Sequence, residues 1–240
     1  MLVEIWSDVV CPWCYIGKRR FEAALARFEH AGDVEVCWKS FELNPHAPAQ
    51  RSGAMAEQIS KKYGMTLEQA ERQLDRLNRL AADEGLEYNL ANTKPGNTFD
   101  AHRLIHLASS KSHRAGDAMK EALLHAYFIE LQPIGDRGVL TDVAVNAGLE
   151  GAEVTEMLAS DSFAGDVRRD EAAAAELGCT GVPFFVFDRS RAVPGAQDAE
   201  TLLVVMRRVW ERSHPRVVPV DEAVTEAAAA CTEDVCADPA

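Results

Sequence analysis

The chain has 240 residues, a formal net charge of −13 at pH 7 and 47% hydrophobic side chains, which is typical of a globular protein that buries a sizeable core. Because 38 acidic residues outnumber 25 basic ones, the composition disfavours nucleic acid or an anionic membrane surface as the main partner. Six cysteines are too few for a disulfide scaffold.

The beginning of the chain lacks the basic segment, the long apolar run and the cleavage site of a secretory signal. No stretch approaches the roughly 18 uncharged apolar residues of a membrane span. We therefore expect a cytoplasmic protein. Thiols are kept reduced in the cytoplasm, so paired cysteines there are more often catalytic, redox-sensing or metal-binding than structural.

The N-terminal segment predicts a strand, a helix and a second strand. Leu2 to Trp6 is a short apolar run that ends at the turn signal Ser7-Asp8. A helical period begins near Pro12, and Val34 to Lys39 alternates like a strand. This order predicts a βαβ unit with two parallel strands.

Between Asn44 and about Leu177 the sequence shows only helical periods separated by turns. A capping-box pattern at Thr66-Leu67-Glu68-Gln69 marks one helix start. Further helices are predicted at Thr98 to Ser110, Gly116 to Leu131, Val139 to Ala147, Ala152 to Ala159 and Phe163 to Leu177. After them, strands are predicted at Val182 to Phe187 and Arg191 to Val193, and a helix at Ala199 to Trp210.

The order of these elements predicts an α/β protein with a thioredoxin fold and a large inserted α-helical domain. We assign residues 1–45 and 165–215 to the thioredoxin-like domain and residues 46–164 to the insertion. The insertion is too long for a loop, and its leucine stripes need a surface to pack against. Residues 216–240 form a C-terminal tail that is acidic beyond Pro219 and carries Cys231 and Cys236 as Cys-x4-Cys.

The motif Cys11-Pro12-Trp13-Cys14 follows the first strand and opens the first helix. Unpaired N–H groups and the positive end of the helix dipole stabilise a thiolate there, so we expect a lowered pKa for Cys11. Cys14, one turn further, is placed to resolve a mixed disulfide formed on Cys11. The alternatives are a buried small side chain or a zinc site, but no second cysteine pair or histidine pair completes a metal cage. We therefore predict two catalytic cysteines and no metal.

A second motif, Gly181-Val182-Pro183, opens the strand near residue 184. In this topology that strand begins beside the cysteine helix. We predict a cis bond before Pro183, which would expose the Val182 backbone to an extended substrate. The alternative is an ordinary proline at the head of a strand.

Four segments together resemble the DsbA family, and within it the FrnE-like branch, over residues 1 to about 212. They are Ser7 to Gly17, Asn97-Thr98 with Ala101-His102-Arg103, Gly181 to Val186, and Gly195-Ala196-Gln197. The resemblance implies thiol–disulfide exchange without a required cofactor. It also places Pro12, Trp13, Asn97 and Thr98 at the substrate cleft, although the last two also fit a helix cap.

The same branch is similar to 2-hydroxychromene-2-carboxylate isomerases and kappa-class glutathione transferases. Those relatives usually carry serine at the position of Cys11 and use it to activate glutathione. Because both thiols are present here, we favour a protein disulfide oxidoreductase that acts on protein or small-molecule disulfides, with glutathione as an optional co-substrate. A glutathione-dependent isomerase or transferase and a redox-regulated, chaperone-like binding protein are the alternatives.

The remaining thiols and charges receive simpler assignments. Cys231 and Cys236 form either an auxiliary redox pair that exchanges with the active site or an incidental pair of thiols. Cys37 and Cys179 are expected to pack in the core. Lys18-Arg19-Arg20 is expected on a solvated helix face. For the pair His102 and His106, a solvated face and a ligand pair are both left open.

Overall fold

The computed structural model describes residues 1–51 and 53–215. Within them the strands are β1 (Leu2–Ser7), β2 (Glu35–Ser40), β3 (Phe184–Phe187) and β4 (Arg191–Pro194). The helices are α1 (Pro12–Leu25), α2 (Met55–Tyr63), α3 (Leu67–Ala82), α4 (Phe99–Lys111), α5 (His113–Phe128), α6 (Arg137–Asn146), α7 (Gly151–Ala159), α8 (Ala164–Glu176) and α9 (Ala199–Ser213). Each predicted strand and helix is present, and α2 is an additional helix that the sequence analysis missed.

The four strands form one sheet in the order β2-β1-β3-β4. β1 runs parallel to β2, with Val3 opposite Val36, which confirms the predicted βαβ unit. β3 runs antiparallel to both of its neighbours, and Trp6 of β1 lies opposite Phe184. The seven helices α2 to α8 lie between β2 and β3 in the chain. The thioredoxin fold with a helical insertion is thereby confirmed.

Side chains alternate between the two faces of the sheet. In the central strands β1 and β3, both faces are buried. On one face Phe185 meets Phe21 of α1, with ring centroids 5.9 Å apart. On the other face Trp6 and Phe184 pack with Ala174 of α8. Burying one such aromatic side chain contributes roughly 1.5–3 kcal/mol, so the two layers of helix fix the sheet from both sides.

The helical segment is attached to the sheet along β2. The Trp38 indole N–H of β2 donates to Asp117 of α5 at 2.8 Å. The backbone N–H of Ser40 donates to Asp170 of α8 at 2.9 Å. These bonds hold α5 and α8 against the strand that lies next to β1.

Residues Met1–Val209 form one compact unit. The boundaries proposed for its thioredoxin-like and helical parts stay a prediction. A second unit begins at Trp210, and its described residues finish α9, where the Trp210 ring stacks on His214. Residues 216–240, including Cys231 and Cys236, lie outside the described residues. In the described part of the chain, no helix is both long and apolar enough to cross a membrane.

A buried arginine joins α4 to the connection between α7 and α8. Arg103 is 2% exposed, and its guanidinium donates to the carbonyl oxygens of Ser162 at 2.8 Å, Ser160 and Met157. It also forms an ion pair with Asp100 at 2.7 Å. One side chain therefore donates to three carbonyl groups at and just beyond the end of α7.

We predict that Arg103→Gln lowers the free energy of unfolding by about 3 kcal/mol, because three carbonyl groups lose a charged donor that is itself buried. Urea unfolding of the full chain measures the change. Arg137→Gln is the matched control, since Arg137 also pairs with Asp100 but is 62% exposed. That control should change stability by less than about 1 kcal/mol. Equal losses in the two variants would contradict the role assigned to Arg103.

Candidate active site

The two motif cysteines lie at the first turn of α1. Cys11 is the N-cap residue in an extended conformation, and Pro12 follows at the first helical position, where a missing N–H costs nothing. The N–H of Cys11 donates to the Asp8 carbonyl at 3.3 Å, and the N–H of Cys14 donates to the Cys11 carbonyl at 3.0 Å. This turn places both sulfur atoms on the same side of the helix start.

The segment before β3 meets the cysteines as the sequence predicts. The Val182–Pro183 peptide bond is cis. The Cys11 sulfur lies 3.5 Å from the Val182 carbonyl oxygen. Pro183 packs on α1 at Gly17, where an added Cβ would lie 2.9 Å from the proline Cγ. A glycine at this position therefore allows α1 and the Pro183 segment to approach closely.

The motif loop is also held from the helical segment. The Tyr88 hydroxyl donates to the Pro12 carbonyl at 2.9 Å, and its ring stacks on Phe128 of α5 at 4.6 Å between centroids. Burial raises the pKa of Tyr88, so the hydroxyl keeps its proton and remains a donor. Trp13 is 39% exposed and forms the outer edge of the site.

The pKa shifts of the two thiols differ from those that the sequence predicts. Burial raises the pKa of Cys14, but the hydrogen bond from Cys11, the charge of Lys120 and the Ser7 hydroxyl outweigh it, and the net shift is downward. The hydrogen bond with Cys14 and burial raise the pKa of Cys11. The expected low pKa at Cys11 is therefore wrong. Of the two thiols, the surroundings therefore favour Cys14 over Cys11 as the one that ionises.

A buried carboxylate lies beneath the motif. Asp8 and His102 are each 1% exposed, and the His102 ring nitrogen lies 3.4 Å from the carboxylate. Asp8 also accepts the Leu43 N–H at 2.8 Å. Burial would raise the pKa of Asp8, but the contacts with His102 and Leu43 lower it, so Asp8 is an anion.

The assignment of Lys18 to a solvated helix face is wrong, and the histidine pair, for which a solvated face was one of two alternatives, is buried or half-buried. His102 is buried against Asp8, and His106 of the same helix lies 3.0 Å from the Ser40 hydroxyl and 3.1 Å from Asp170. Lys18 is 2% exposed and forms ion pairs with three carboxylates. They belong to Glu22, Asp117 and Glu121.

Sequence reasoning missed Lys120, a fully buried lysine of α5. Its pattern held a usable signal, because Leu123 and Leu124 follow at three and four positions and lie on the same helix face. Lys120 lies within this apolar stripe and is buried with it. Burial lowers the pKa of Lys120 to about 8, while the charges of Cys14 and Asp8 oppose that shift.

Asn97 and Thr98 lie at the start of α4. The Asn97 side chain accepts the Phe99 N–H at 2.9 Å and donates to the Pro45 and Ala47 carbonyls. Asn97 also lines a cavity of about 350 Å³. The other lining residues are Ala47, Ala49, Asp100, Gly135 and Arg137. Thr98 is buried and makes no side-chain cap bond. Within the described residues, the hydrogen bonds of Asn97 go to its local segment and the 45–47 segment, and none goes to the cysteine motif.

The other described cysteines are free thiols. Cys179 is buried in the cluster with Trp6 and Phe184, as expected, and Cys37 of β2 is half-buried. Burial raises the pKa of both thiols. In residues 1–51 and 53–215, no group of three His, Cys, Asp or Glu side chains is arranged to hold a metal ion.

The family model of the DSBA-like thioredoxin domain matches residues 2–207. The uncharacterized protein YwbO of Bacillus subtilis is 32% identical over 197 residues, which cover 81% of this chain and 90% of YwbO. The crystal structure of the probable DsbA oxidoreductase SCO1869 from Streptomyces coelicolor is similar with a TM-score of 0.85, at 42% identity and with full coverage of both chains.

Two more distant structures share the fold. The cytosolic disulfide reductase DsbM from Pseudomonas aeruginosa, solved with GSH, is 16% identical with a TM-score of 0.59, over 87% of this chain and 98% of that chain. A 2-hydroxychromene-2-carboxylate isomerase is 14% identical with a TM-score of 0.63, over 89% and 98% of the two chains. One fold thus carries both kinds of activity that the sequence analysis weighed.

We predict that Gly17→Ala lowers the free energy of unfolding by about 1–3 kcal/mol, because the new methyl group would overlap the Pro183 ring. In a helix without other contacts, alanine is more stable than glycine by about 1 kcal/mol. A lower free energy of unfolding for Gly17→Ala would therefore show that the overlap with Pro183 outweighs this gain. Gly151→Ala at the start of α7 is the control, since its added Cβ would meet only an ordinary contact at 3.5 Å. Denaturant unfolding measures both. A stabilised Gly17→Ala protein would contradict the close packing at Pro183.

Proposed function

The chain belongs to the DSBA-like thioredoxin domain family, and we propose that it is a thiol–disulfide oxidoreductase that works through Cys11 and Cys14. One observation carries the proposal. Two thiols lie one helical turn apart at the start of α1, and the outer one is 3.5 Å from the Val182 carbonyl beside the cis proline. On the sequence motifs we place the chain in the FrnE-like branch.

Cys11 is the nucleophile of the proposed reaction because it is the outer thiol, next to the exposed Trp13 and to Val182. Its sulfur attacks one sulfur of a substrate disulfide, the substrate S–S bond breaks, and a substrate thiolate leaves. The proton of Cys11 passes along the hydrogen bond to the Cys14 thiolate. The product of this step is a mixed disulfide on Cys11.

Cys14 completes the exchange. Its sulfur attacks the Cys11 sulfur, the mixed disulfide breaks, and the second substrate sulfur leaves with the proton as a thiol. The substrate has gained two electrons and the protein holds a Cys11–Cys14 disulfide. Cys14 gives up the proton that it took from Cys11 as it attacks, and its lowered pKa favours that loss, because the thiolate is the attacking form.

The substrates that fit this chemistry are protein or small-molecule disulfides and thiols. An extended chain would lie along the Val182–Pro183 backbone and contact Trp13, the half-exposed ring at the rim. We assign no metal and no dissociable cofactor to the reaction, and glutathione serves as a co-substrate that resets the pair. The cytoplasm is the proposed compartment, in which paired cysteines are more often catalytic, redox-sensing or metal-binding than structural.

The first functional prediction separates the two thiols. Cys11→Ser should reduce catalysed insulin-disulfide reduction to the uncatalysed rate, whereas Cys14→Ser should accumulate mixed disulfides that mass spectrometry detects. Cys37→Ser is the control, because Cys37 lies on β2 and should leave the rate near that of the unchanged protein. Accumulation of mixed disulfides in Cys11→Ser instead would reverse the two roles.

A second prediction separates the oxidoreductase from the isomerase. Serine stands at the position of Cys11 in the isomerases, so Cys11→Ser should keep glutathione-dependent isomerisation if that were the activity. We expect no conversion of a 2-hydroxychromene-2-carboxylate by either protein, and insulin reduction by the unchanged protein alone. Suppression of aggregation that survives loss of both thiols, without any disulfide exchange, would favour the chaperone-like alternative.

A further inference from the structure

The residues between α3 and the short helical turn Leu90–Asn92 contact the active site, and we call residues 83–89 the α3 connection. It leaves α3 through Gly85, whose φ of +74° lies in the left-handed region. The Leu86 N–H returns to the Ala81 carbonyl at 2.9 Å, and Leu86 is 3% exposed. The turn and this buried anchor fix the backbone from which the side chains of the connection extend.

Tyr88 of the α3 connection binds the motif itself. Its hydroxyl donates to the Pro12 carbonyl at 2.9 Å. Its ring stacks on Tyr15 of α1 and on Phe128 of α5, with centroid distances of 6.2 and 4.6 Å. The Pro12 carbonyl and the Trp13 N–H belong to one rigid peptide group, so the hydrogen bond restrains the peptide between the two cysteines. The rings would stack equally well without the hydroxyl, which is thus the part of Tyr88 that acts on the motif.

Glu84 of the same connection reaches the other half of the site through an arginine. Its carboxylate accepts the Arg20 Nε–H at 2.6 Å, and a terminal nitrogen of Arg20 donates to the Ala196 carbonyl at 2.8 Å. The neighbouring Gly195 N–H donates to the Pro183 carbonyl at 2.8 Å. A chain of contacts therefore runs from the helical insertion across α1 to the segment before β3.

The pair of Arg20 and Glu84 is enclosed enough to orient the guanidinium. The two side chains are 20% and 23% exposed. A comparable pair beyond the end of α1, Arg27 with Glu200 of α9, is 55% and 62% exposed. Solvent screens a partly buried pair less than a surface pair, so the first pair restrains its arginine more strongly. The bond from Arg20 to the Ala196 carbonyl depends on that orientation.

We propose that the α3 connection positions the two halves of the active site separately. Tyr88 fixes the motif peptide, and Glu84 acts through Arg20 on the segment that holds Pro183. All three are positioning residues, because each acts through backbone groups and none exchanges electrons with the substrate. The proposal rests on thiol–disulfide exchange at the two motif cysteines. It gives the helical insertion control over both the reactivity of the motif and the docking of the substrate.

The two halves serve different substrates. Every disulfide must reach the Cys11 sulfur, so a displaced motif peptide slows the reaction with all of them. Only a substrate with a peptide chain uses the backbone at Val182 and Pro183, so a displaced support there weakens the binding of protein disulfides alone. The contribution of Tyr88 therefore appears in the maximal rate, and that of Glu84 in the half-saturating concentration of a protein substrate.

Both contributions are measured on the full chain with Cys231→Ser and Cys236→Ser, so that the C-terminal thiols do not react. The reduced protein is mixed with insulin or with 2-hydroxyethyl disulfide, which has no peptide groups, and thiol trapping follows the formation of the Cys11–Cys14 disulfide. The concentration dependence gives a maximal rate and a half-saturating concentration for insulin, and a rate constant for the small disulfide. Failure of the unchanged protein to react with either substrate would contradict the proposed function instead of the role of the α3 connection.

Tyr88→Phe keeps the stacked ring and removes the bond to the motif. It should lower the rate with both substrates by about three- to tenfold, as expected for one hydrogen bond, and leave the half-saturating insulin concentration within about twofold. Tyr15→Phe is the matched control, because its hydroxyl belongs to the same aromatic cluster but donates to Glu121. It should change each rate by less than about twofold. Equal rate losses in the two variants, or unchanged rates in Tyr88→Phe, would overturn the proposal.

Glu84→Ala should raise the half-saturating insulin concentration at least about threefold and leave the rate constant with the small disulfide within about twofold. Glu200→Ala is the matched control, since it removes the carboxylate of the exposed Arg27 pair and should change neither quantity. Arg20→Met, which also removes the donor to Ala196, should give the same pattern as Glu84→Ala. A rate loss with both substrates in Glu84→Ala, or an unchanged dependence on insulin, would overturn the proposal.

The double variant Tyr88→Phe with Glu84→Ala tests whether the two side chains act separately. Their hydrogen bonds go to different partners, so the two effects should multiply, with the rate loss of the first variant and the weaker insulin binding of the second. Urea unfolding of every variant should remain cooperative. A double variant that is no slower and binds insulin no more weakly than one of the single variants would show a single shared effect and overturn the separate roles.

Discussion

The antiparallel pairing of β1 with β3 is the constraint on which the site depends. β1 leads into the turn that carries Cys11, and β3 begins immediately after Pro183. The register that places Trp6 opposite Phe184 therefore determines that the Cys11 sulfur lies near the Val182 carbonyl. A slip of the register by one residue would move the Phe185 side chain from the face packed on α1 to the opposite face of the sheet. The cost of closing the long connection grows only with the logarithm of its length, which is why a large insertion is compatible with this pairing.

Charges buried beneath α1 are the second feature that shapes the site. Buried ion pairs add little net stability, because the lost hydration of both partners offsets their attraction. The charges of Asp8 and Lys120 are therefore better explained by what they do to the thiols than by what they add to folding. Low polarity around these groups also makes each charge act strongly on Cys14.

Much of this arrangement follows from the sequence, and the parts that do not follow have physical reasons. Strand and helix periods located the four strands, and the spacing of the motifs placed Pro183 beside Cys11. The helix α2 was missed because its segment is short and mostly polar and buries only Ala56, so its apolar positions at Met55, Ile59 and Tyr63 give a weak signal. The low pKa was assigned to Cys11 because the helix dipole is a local property of sequence, whereas the charge of Lys120 reaches Cys14 only through the tertiary fold.

The helical insertion supplies the side chains that distinguish this site from the bare fold. Asp117, Lys120 and Glu121 are three and four positions apart on α5 and lie on one face. One turn of that helix thus pairs with Lys18, accepts the Tyr15 hydroxyl and buries the Lys120 ammonium, whose charge lowers the pKa of Cys14. Proteins that share the sheet and the cysteine position but differ in this turn would hold the same sulfur atoms in a different field. A fold common to reductases and isomerases is then no guide to the direction of the reaction, since the direction is set by side chains that the fold does not specify.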